Sequence, residues 1–103
     1  MRGHGVHVLT VCYGHPADTA AFDDYYTSTH VPLAEKIPGV TTFTYRHCDS
    51  LDASPPPYYL LAELTFPSHE ALYAGLSSPE GQAAAGDVPK FATGGVTMFV
   101  AHD

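Results

Sequence analysis

Apolar residues are concentrated in four short stretches of the chain, and turn-forming residues bound each stretch. These stretches are rich in β-branched and aromatic residues, which is typical of β-strands. They cover residues 5–13, 40–48, 58–66 and 96–101. In the first stretch, both of the alternating faces carry apolar side chains. We therefore expect both faces of the resulting sheet to be covered.

Helical spacing of apolar residues predicts a long helix after the first strand. Asp18 or Thr19 is expected to cap it, because both side chains can accept a hydrogen bond from a free amide of the first turn. Two shorter helices are predicted after the third strand, beginning at Ser68 and at Ser78 with Pro79 behind it. One stripe of the first helix carries Phe22, Tyr25, Tyr26, Thr29 and Leu33.

The predicted order is strand, helix, strand, strand, helix pair, strand, which is the ferredoxin-like split β-α-β pattern. It predicts one α+β domain over residues 1–103, with a four-stranded antiparallel sheet and helices on one face only. Nothing in the sequence supplies a layer for the other face, which would remain an exposed apolar patch. Pairing two such faces across a twofold axis predicts a homodimer whose sheets form a shared barrel.

His30 is the first candidate functional residue, because it lies on the edge of the aromatic stripe, two residues before Pro32. A proline at that position removes the amide bond to Ser28 and disfavours helical geometry at Val31. The helix is therefore predicted to break or kink just after His30. That break would leave an imidazole beside loosened backbone, directed at whatever the stripe faces.

Composition narrows the possible partners and compartments. Four Lys and Arg against eleven Asp and Glu give a net charge of -7, which disfavours nucleic acid as a partner. No apolar run is long enough to span a bilayer, and no signal peptide is recognisable. Cys12 and Cys48 are too few for a disulfide framework, so we expect a cytoplasmic protein with two free thiols.

Residues 22–45, FDDYYTSTHVPLAEKIPGVTTFTY, resemble the signature of the EthD family: a Phe and an aromatic pair, then His-x-Pro-Leu, then Pro-Gly. Tyr13 with Pro16 also fits that family. So does SSPEGQAAAGDVPKFA at residues 77–92, a small-residue helix with an Asp four residues before a Phe. The resemblance covers nearly the whole chain and implies a dimeric α+β barrel of the ferredoxin-like type.

The resemblance also implies a function. The wider superfamily includes isomerases of the muconolactone type, cofactor-free monooxygenases of aromatic compounds, and enzymes that use haem. In the related isomerases, the histidine at the position of His30 lies in the pocket, and an aromatic hydroxyl past the Pro-Gly pair assists it. Phe43 occupies the nearest position in this chain, and Tyr45 follows two residues later.

These observations favour an enzyme with no cofactor that moves a proton in a small hydrophobic or aromatic carbonyl compound of the lactone or polyketide type. His30 would be the general acid and base, and Tyr45 would stabilise the developing oxyanion. The remaining predicted substrate-binding residues are Tyr13, Tyr26, Phe43, Tyr59 and Leu33. The competing interpretation is structural: His30 would bond a free carbonyl at a helix end, and the tyrosines would be core residues.

Several alternatives remain open at this stage. The protein could be a cofactor-free monooxygenase, or a non-catalytic protein that binds a small molecule for a partner oxygenase. A metal site would require His4, His7 and His102 to meet, and a haem would require His30 as its axial ligand. Neither is favoured, so no metal and no cofactor is predicted.

Overall fold

The computed structural model describes residues 5–103 and contains one antiparallel sheet of four strands. The strands are β1 (His7–Tyr13), β2 (Thr42–His47), β3 (Leu60–Phe66) and β4 (Val96–His102). They lie side by side in the order β2-β3-β1-β4, and all three pairings are antiparallel. The helices cover one face of this sheet. The predicted ferredoxin-like α+β fold is therefore confirmed.

The helical segments follow the predicted order, with one additional short turn. They are α1 (Thr19–Tyr25), a π-helical turn (Tyr26–His30), α2 (Val31–Glu35), α3 (His69–Ser77), α4 (Pro79–Asp87) and a 3-10 turn (Val88–Lys90). The predicted caps are present: Asp18, Ser68 and Ser78 accept hydrogen bonds from the amides of Ala21, Ala71 and Gly81. Within residues 5–103, no helix is long and apolar enough to cross a membrane.

The first helix was predicted to break or kink just after His30, and the predicted break and the non-helical geometry at Val31 are wrong. Val31 has helical backbone angles, φ -55° and ψ -47°, and its amide donates to the carbonyl of Tyr26, five residues back. The chain therefore widens into a π-helical turn instead of breaking, and Pro32 lies in the first turn of α2. A proline is tolerated there because an amide in the first turn of a helix needs no intrahelical partner.

The π-helical turn also changes which residues face the sheet. Phe22, Tyr26, His30 and Ala34 are all buried, at intervals of four residues. In a regular α-helix such a row drifts by about 40° at each step, because four residues turn the chain by about 400°. The wider turn reduces this drift and keeps the four side chains on one face. Thr29, which the predicted stripe included, is exposed.

The hydrophobic core lies between the sheet and the helices. Along β3, buried and half-buried residues alternate, and the four buried ones face the helices: Leu60, Ala62, Leu64 and Phe66. The β1 residues on that face are His7, Leu9, Val11 and Tyr13, by their register with β3. The other face of the sheet, termed here the outer face, carries no helix. Its β1 and β4 residues are Val8, Thr10, Cys12, Thr97, Phe99 and Ala101.

Glu63 lies on the outer face, opposite Thr44 of β2, whereas Arg46 lies opposite Leu61. Because the two residues were predicted to lie on neighbouring strands, the sequence favoured an ion pair between Arg46 and Glu63. Within residues 5–103, however, the ion pairs involve His30 with Asp87 and His47 with Asp23, and none joins Arg46 to Glu63. Glu63 therefore remains a carboxylate near the middle of the sheet surface that the helices leave open.

Candidate functional site

A cavity of about 170 Å³ lies between the sheet and the helices, beneath the π-helical turn. Its walls are almost entirely apolar, and three residues with polar side-chain atoms contribute to them: Tyr13, Tyr26 and His30. Met98 of the edge strand β4 lines one side and is half exposed. The apolar walls are completed by Leu9, Val11, Ala34, Ile37, Phe43, Ala62, Leu64, Leu76, Gly81, Ala84, Ala85 and Val88.

His30 ends the π-helical turn and is 5% exposed. Its Nδ1 lies 3.0 Å from Oδ2 of Asp87, the last residue of α4. Within the described residues, Nε2 has no hydrogen-bond partner, and the ring contributes to the cavity wall. An imidazole whose Nδ1 donates to a carboxylate carries its lone pair on Nε2. The arrangement therefore offers a proton acceptor to the cavity.

The carboxylate of Asp87 joins three helical segments of the chain. Its Oδ1 accepts a hydrogen bond of 2.6 Å from the hydroxyl of Tyr25, and its Oδ2 pairs with His30. Tyr25 ends α1, and Asp87 ends α4. Two hydrogen bonds on different oxygens leave the carboxylate little freedom to rotate. The result is a Tyr–Asp–His series at the edge of the apolar cavity.

The environment favours neutral His30 beside ionised Asp87. Burial lowers the pKa of His30 below its ordinary value of 6.5, and the bond to Asp87 opposes this shift only in part. Burial tends to raise the pKa of Asp87. The hydrogen bonds from Tyr25 and His30 and the charge of Lys90 outweigh that effect, so this pKa lies below its ordinary value. At neutral pH the site therefore presents a neutral imidazole.

Tyr26 places a hydroxyl group at the cavity. The residue is 1% exposed, and its buried hydroxyl oxygen makes no hydrogen bond of regular geometry in residues 5–103, although the hydroxyl of Tyr13 is near enough for each group to affect the pKa of the other. Its ring lies 5.4 Å from that of His30 and 5.6 Å from that of Tyr13, measured between centroids. Burial raises the pKa of both phenols, so each keeps its proton. A buried hydroxyl without a partner costs free energy unless a ligand or a water satisfies it.

The structure brings together His30, Tyr13, Tyr26 and Phe43, four of the residues predicted from the sequence to form the site. Three others lie outside the cavity wall. Tyr45 is 38% exposed and packs its ring against Tyr26. Leu33 packs, half buried, on the outside of the core.

Tyr59 is the third predicted residue outside the cavity wall. It is half buried, and its hydroxyl donates to both carboxylate oxygens of Asp23 at 2.9 Å. Nε2 of His47 lies 3.0 Å from Oδ1 of the same carboxylate. The two side chains thus connect β2 and the residue before β3 to α1 at the surface of the protein.

Asp87 and Tyr25 belong to the site but were not singled out as site residues by the sequence analysis. One signal was available for Asp87: it ends a helix, where the helix dipole disfavours a carboxylate. An acidic residue in such a position needs a compensating donor, and the structure supplies two. The pairing with His30 spans 57 positions of sequence, so spacing along the chain could not reveal it.

Of the three histidines considered as metal ligands, His4, His7 and His102, the two that lie in the described residues do not form part of a metal site there. His7 and His102 lie on paired strands, with their rings stacked at 5.0 Å, whereas His4 lies outside the described residues. Stacked rings direct their nitrogen lone pairs away from a common point. In the part of the chain that the structure describes, no group of three or more His, Cys, Asp or Glu side chains is arranged to hold a metal ion.

Comparison with known proteins agrees with this architecture. The family model described as "EthD domain" matches residues 14–95. An uncharacterised 11.0 kDa protein from the thcB–thcC intergenic region of Rhodococcus erythropolis is 54% identical over 91 residues, which is 88% of each chain.

Solved structures show the same relationship. An ethyl tert-butyl ether D (EthD) family protein from Bacillus halodurans C-125 is 31% identical, with a TM-score of 0.89 over 95% of this chain and 98% of that chain. A dimeric ferredoxin-like protein of unknown function from Thermobifida fusca shares the fold at 13% identity, with a TM-score of 0.70 over 98% and 92% of the two chains. With the match over residues 14–95, these similarities establish that the chain belongs to the EthD family.

Proposed function

We propose that this protein is a small-molecule enzyme that moves a proton next to a carbonyl group, without a cofactor, and thereby isomerises its substrate. The substrate class is a small hydrophobic or aromatic carbonyl compound of the lactone or polyketide type. The observation that carries the proposal is the buried His30, which is held through Nδ1 by Asp87 and lines an apolar cavity. A single titratable base in an apolar cavity is the usual composition of such sites.

The first step breaks a C–H bond next to the carbonyl group. Nε2 of His30 accepts the proton, and the electron pair of the C–H bond moves toward the carbonyl oxygen to form an enolate. The carboxylate of Asp87 stabilises the imidazolium that results. The same imidazolium returns the proton, at the original carbon or at a conjugated one. The second outcome is an isomerisation, and electrons and protons balance without a further reactant.

The enolate oxygen needs a hydrogen-bond donor. Tyr26 supports this part of the proposal, because its buried hydroxyl makes no hydrogen bond of regular geometry in residues 5–103 and its ring lies beside that of His30. From the sequence, Tyr45 was predicted to have this role. Because Tyr45 packs behind Tyr26, outside the cavity wall, we propose that Tyr26 donates to the oxygen and that Tyr45 supports its ring.

Exchange of the acidic hydrogen in D₂O tests the proposed reaction. A panel of small aryl ketones and lactones would be followed by NMR with wild-type protein and with His30→Gln. We expect the wild type to accelerate exchange in at least one probe, and His30→Gln to lower that rate by about 100-fold or more. Binding of the same probe should change little, because glutamine preserves most of the cavity wall.

His47→Gln is the matched control, since His47 also pairs with an aspartate but lies half exposed, outside the cavity. It should exchange the probe at the wild-type rate. An unchanged rate in His30→Gln would remove His30 from the mechanism. Binding without exchange by the wild type would instead support a non-catalytic carrier. Oxygen uptake with a quinol or anthrone probe would support a cofactor-free monooxygenase.

We also propose that the protein is a homodimer whose outer sheet faces pair. Phe99 of β4 is 51% exposed on the outer face, and all seven residues of that edge strand are exposed. A second copy would cover this apolar surface. The related fold of the Thermobifida fusca protein, described as dimeric, supports the proposal. The free thiols of Cys12 and Cys48 support a cytoplasmic location.

A further inference from the structure

We propose that Tyr25 is a positioning residue of this site: its hydroxyl fixes the Asp87 carboxylate in the orientation that holds His30 with Nε2 toward the cavity. The inference rests on the proposed function for its catalytic consequence, but its structural part can be measured without a substrate. Tyr25 does not line the cavity. It therefore acts on a bound molecule only through Asp87 and His30.

The contacts of Asp87 carry the argument. Oδ1 accepts from Tyr25 at 2.6 Å, and Oδ2 pairs with His30 at 3.0 Å. The carboxylate ends α4, where no side chain of its own helix bonds it in residues 5–103. In the described residues, the hydrogen bonds from Tyr25 and His30 are thus the two that oppose rotation about the last bond of the Asp87 side chain. Without the hydroxyl of Tyr25, the imidazole of His30 would be the remaining hydrogen-bond partner of the Asp87 carboxylate. The carboxylate would then hold the imidazole less firmly.

Packing holds the Tyr25 ring in the required position. Its centroid lies 5.5 Å from that of Phe91, with the two planes 30° apart. Phe91 in turn lies 4.7 Å from the ring of His30. The phenol and the imidazole therefore both pack against one buried phenylalanine. Removing only the hydroxyl, by Tyr25→Phe, would leave this packing intact.

Few other charged or titratable groups face the pair. Lys90, in the 3-10 turn that follows α4, contributes a positive charge near Asp87. On the other side, Tyr26 of the π-helical turn contacts the ring of His30 and keeps its proton. Neither residue bonds the Asp87 carboxylate in the described part of the chain. The hydroxyl of Tyr25 is thus the second hydrogen-bond donor to Asp87, beside His30.

The protein contains a second Tyr–Asp–His series that serves as an internal control. The hydroxyl of Tyr59 donates to Asp23, whose Oδ1 lies 3.0 Å from Nε2 of His47. The side chains of His47 and Asp23 are roughly half exposed, so water can replace a lost bond. Tyr59→Phe therefore removes a chemically equivalent hydrogen bond at a place remote from the cavity.

The test is the tautomer of His30 in ligand-free protein, read from the ¹⁵N chemical shifts of its two ring nitrogens. In the wild type we expect His30 to be protonated at Nδ1 and not at Nε2. Tyr25→Phe should produce a larger population of His30 that is protonated at Nε2 than in the wild type. Asp87→Asn should abolish the preference for protonation at Nδ1. Tyr59→Phe should leave His30 at its wild-type tautomer. Wild-type ring-nitrogen shifts in Tyr25→Phe would overturn the proposal.

The kinetic consequence is measured separately. With any probe that the wild type turns over, Tyr25→Phe should lower kcat by about tenfold or more, the usual effect of losing one hydrogen bond to a charged group. KM should stay near the wild-type value, because Tyr25 does not touch the bound molecule. An altered tautomer in a protein that turns over no probe would uphold the positioning role and contradict the proposed function. Unaltered kcat would contradict the catalytic consequence of the proposal.

Discussion

At the scale of single residues, burial decides the chemistry of the site. An exposed imidazole is half protonated near its ordinary pKa of 6.5, whereas burial disfavours the charged form of His30. Burial alone would raise the pKa of Asp87, but two hydrogen bonds and a nearby lysine charge stabilise its carboxylate and lower that pKa. The two shifts together keep a base and a counter-charge ready at neutral pH. Neither side chain would have these properties at the surface.

Stability should fall on acidification because of this pair. The pKa of His30 lies below 6.5 in the folded protein and near 6.5 in the unfolded chain, so acid protonates the unfolded chain first. The pKa of Asp87 is also lowered by folding, which adds a loss of stability at more acidic pH. We expect the free energy of unfolding, measured with urea, to decrease from pH 7.5 to 5.5.

His30→Gln should reduce that slope. One titrating group contributes at most about 1.4 kcal/mol per pH unit, so the difference between the wild-type and variant slopes must lie below this limit. His47→Gln is the control, because it removes an aspartate-paired histidine at a half-exposed position. An equal slope in wild type and His30→Gln would contradict a burial-lowered pKa.

At the scale of elements, α3 packs closely against the segment that follows α2. Gly75 of α3 is buried, and a Cβ atom added to it would lie 2.4 Å from the carbonyl oxygen of Pro38 and 2.9 Å from the ring of Phe66. These distances are far shorter than van der Waals contact. The helix can therefore approach the segment after α2 only because residue 75 has no side chain.

Gly75→Ala should destabilise the protein by about 1–3 kcal/mol, because a clash with backbone is not relieved by side-chain rotation. Gly86 of α4 offers the matched control: a Cβ atom there would meet nothing within 4 Å. Gly86→Ala should instead stabilise the fold by about 0.5–1 kcal/mol through the better helix propensity of alanine. Urea denaturation of both variants measures the difference. A stable Gly75→Ala protein would show that α3 is free to move away from Pro38.

At the scale of the whole molecule, helices cover one face of the sheet, whereas no helix of residues 5–103 covers the outer face. Phe99 and Met98 are adjacent in sequence but lie on opposite faces of β4, and both are about half exposed. Met98 borders the cavity, whereas Phe99 projects from the outer face. Apolar exposure on an edge strand invites pairing with another chain.

Phe99→Glu should convert the proposed dimer to a monomer, because it replaces an exposed apolar side chain of the outer face with a second carboxylate in the same cross-strand row as Glu63. Leu51→Glu is the control, since Leu51 is fully exposed in the proline-rich loop. Light scattering coupled to size-exclusion chromatography at micromolar concentration measures the mass. We expect a dimer for the wild type and for Leu51→Glu. A monomeric wild type would contradict the dimer itself.

The order of strands and helices and the positions of the caps could be predicted from the sequence because they depend on local chemistry. Ser78 with Pro79 marks a helix start wherever it occurs, and apolar stretches of this length form strands in many proteins. His30 was also identified from local features, as a polar residue on an aromatic stripe. The consequence of Pro32 was not, since a proline permits either a break or a wider turn. Packing against the sheet favours the wider turn here, because it keeps Phe22, Tyr26, His30 and Ala34 on one buried face.

The sequence by itself determined the fold class, the acidic charge and the candidate base, because each follows from composition or from neighbours along the chain. Only the tertiary structure decided which residues complete the site. Asp87 lies 57 positions from His30 and 62 from Tyr25, and folding brings them within hydrogen-bond distance. Folding also places Tyr26 in the cavity wall and leaves Tyr45 outside that wall. Contacts between distant segments depend on how the helices lie against the sheet, and no local pattern specifies that arrangement.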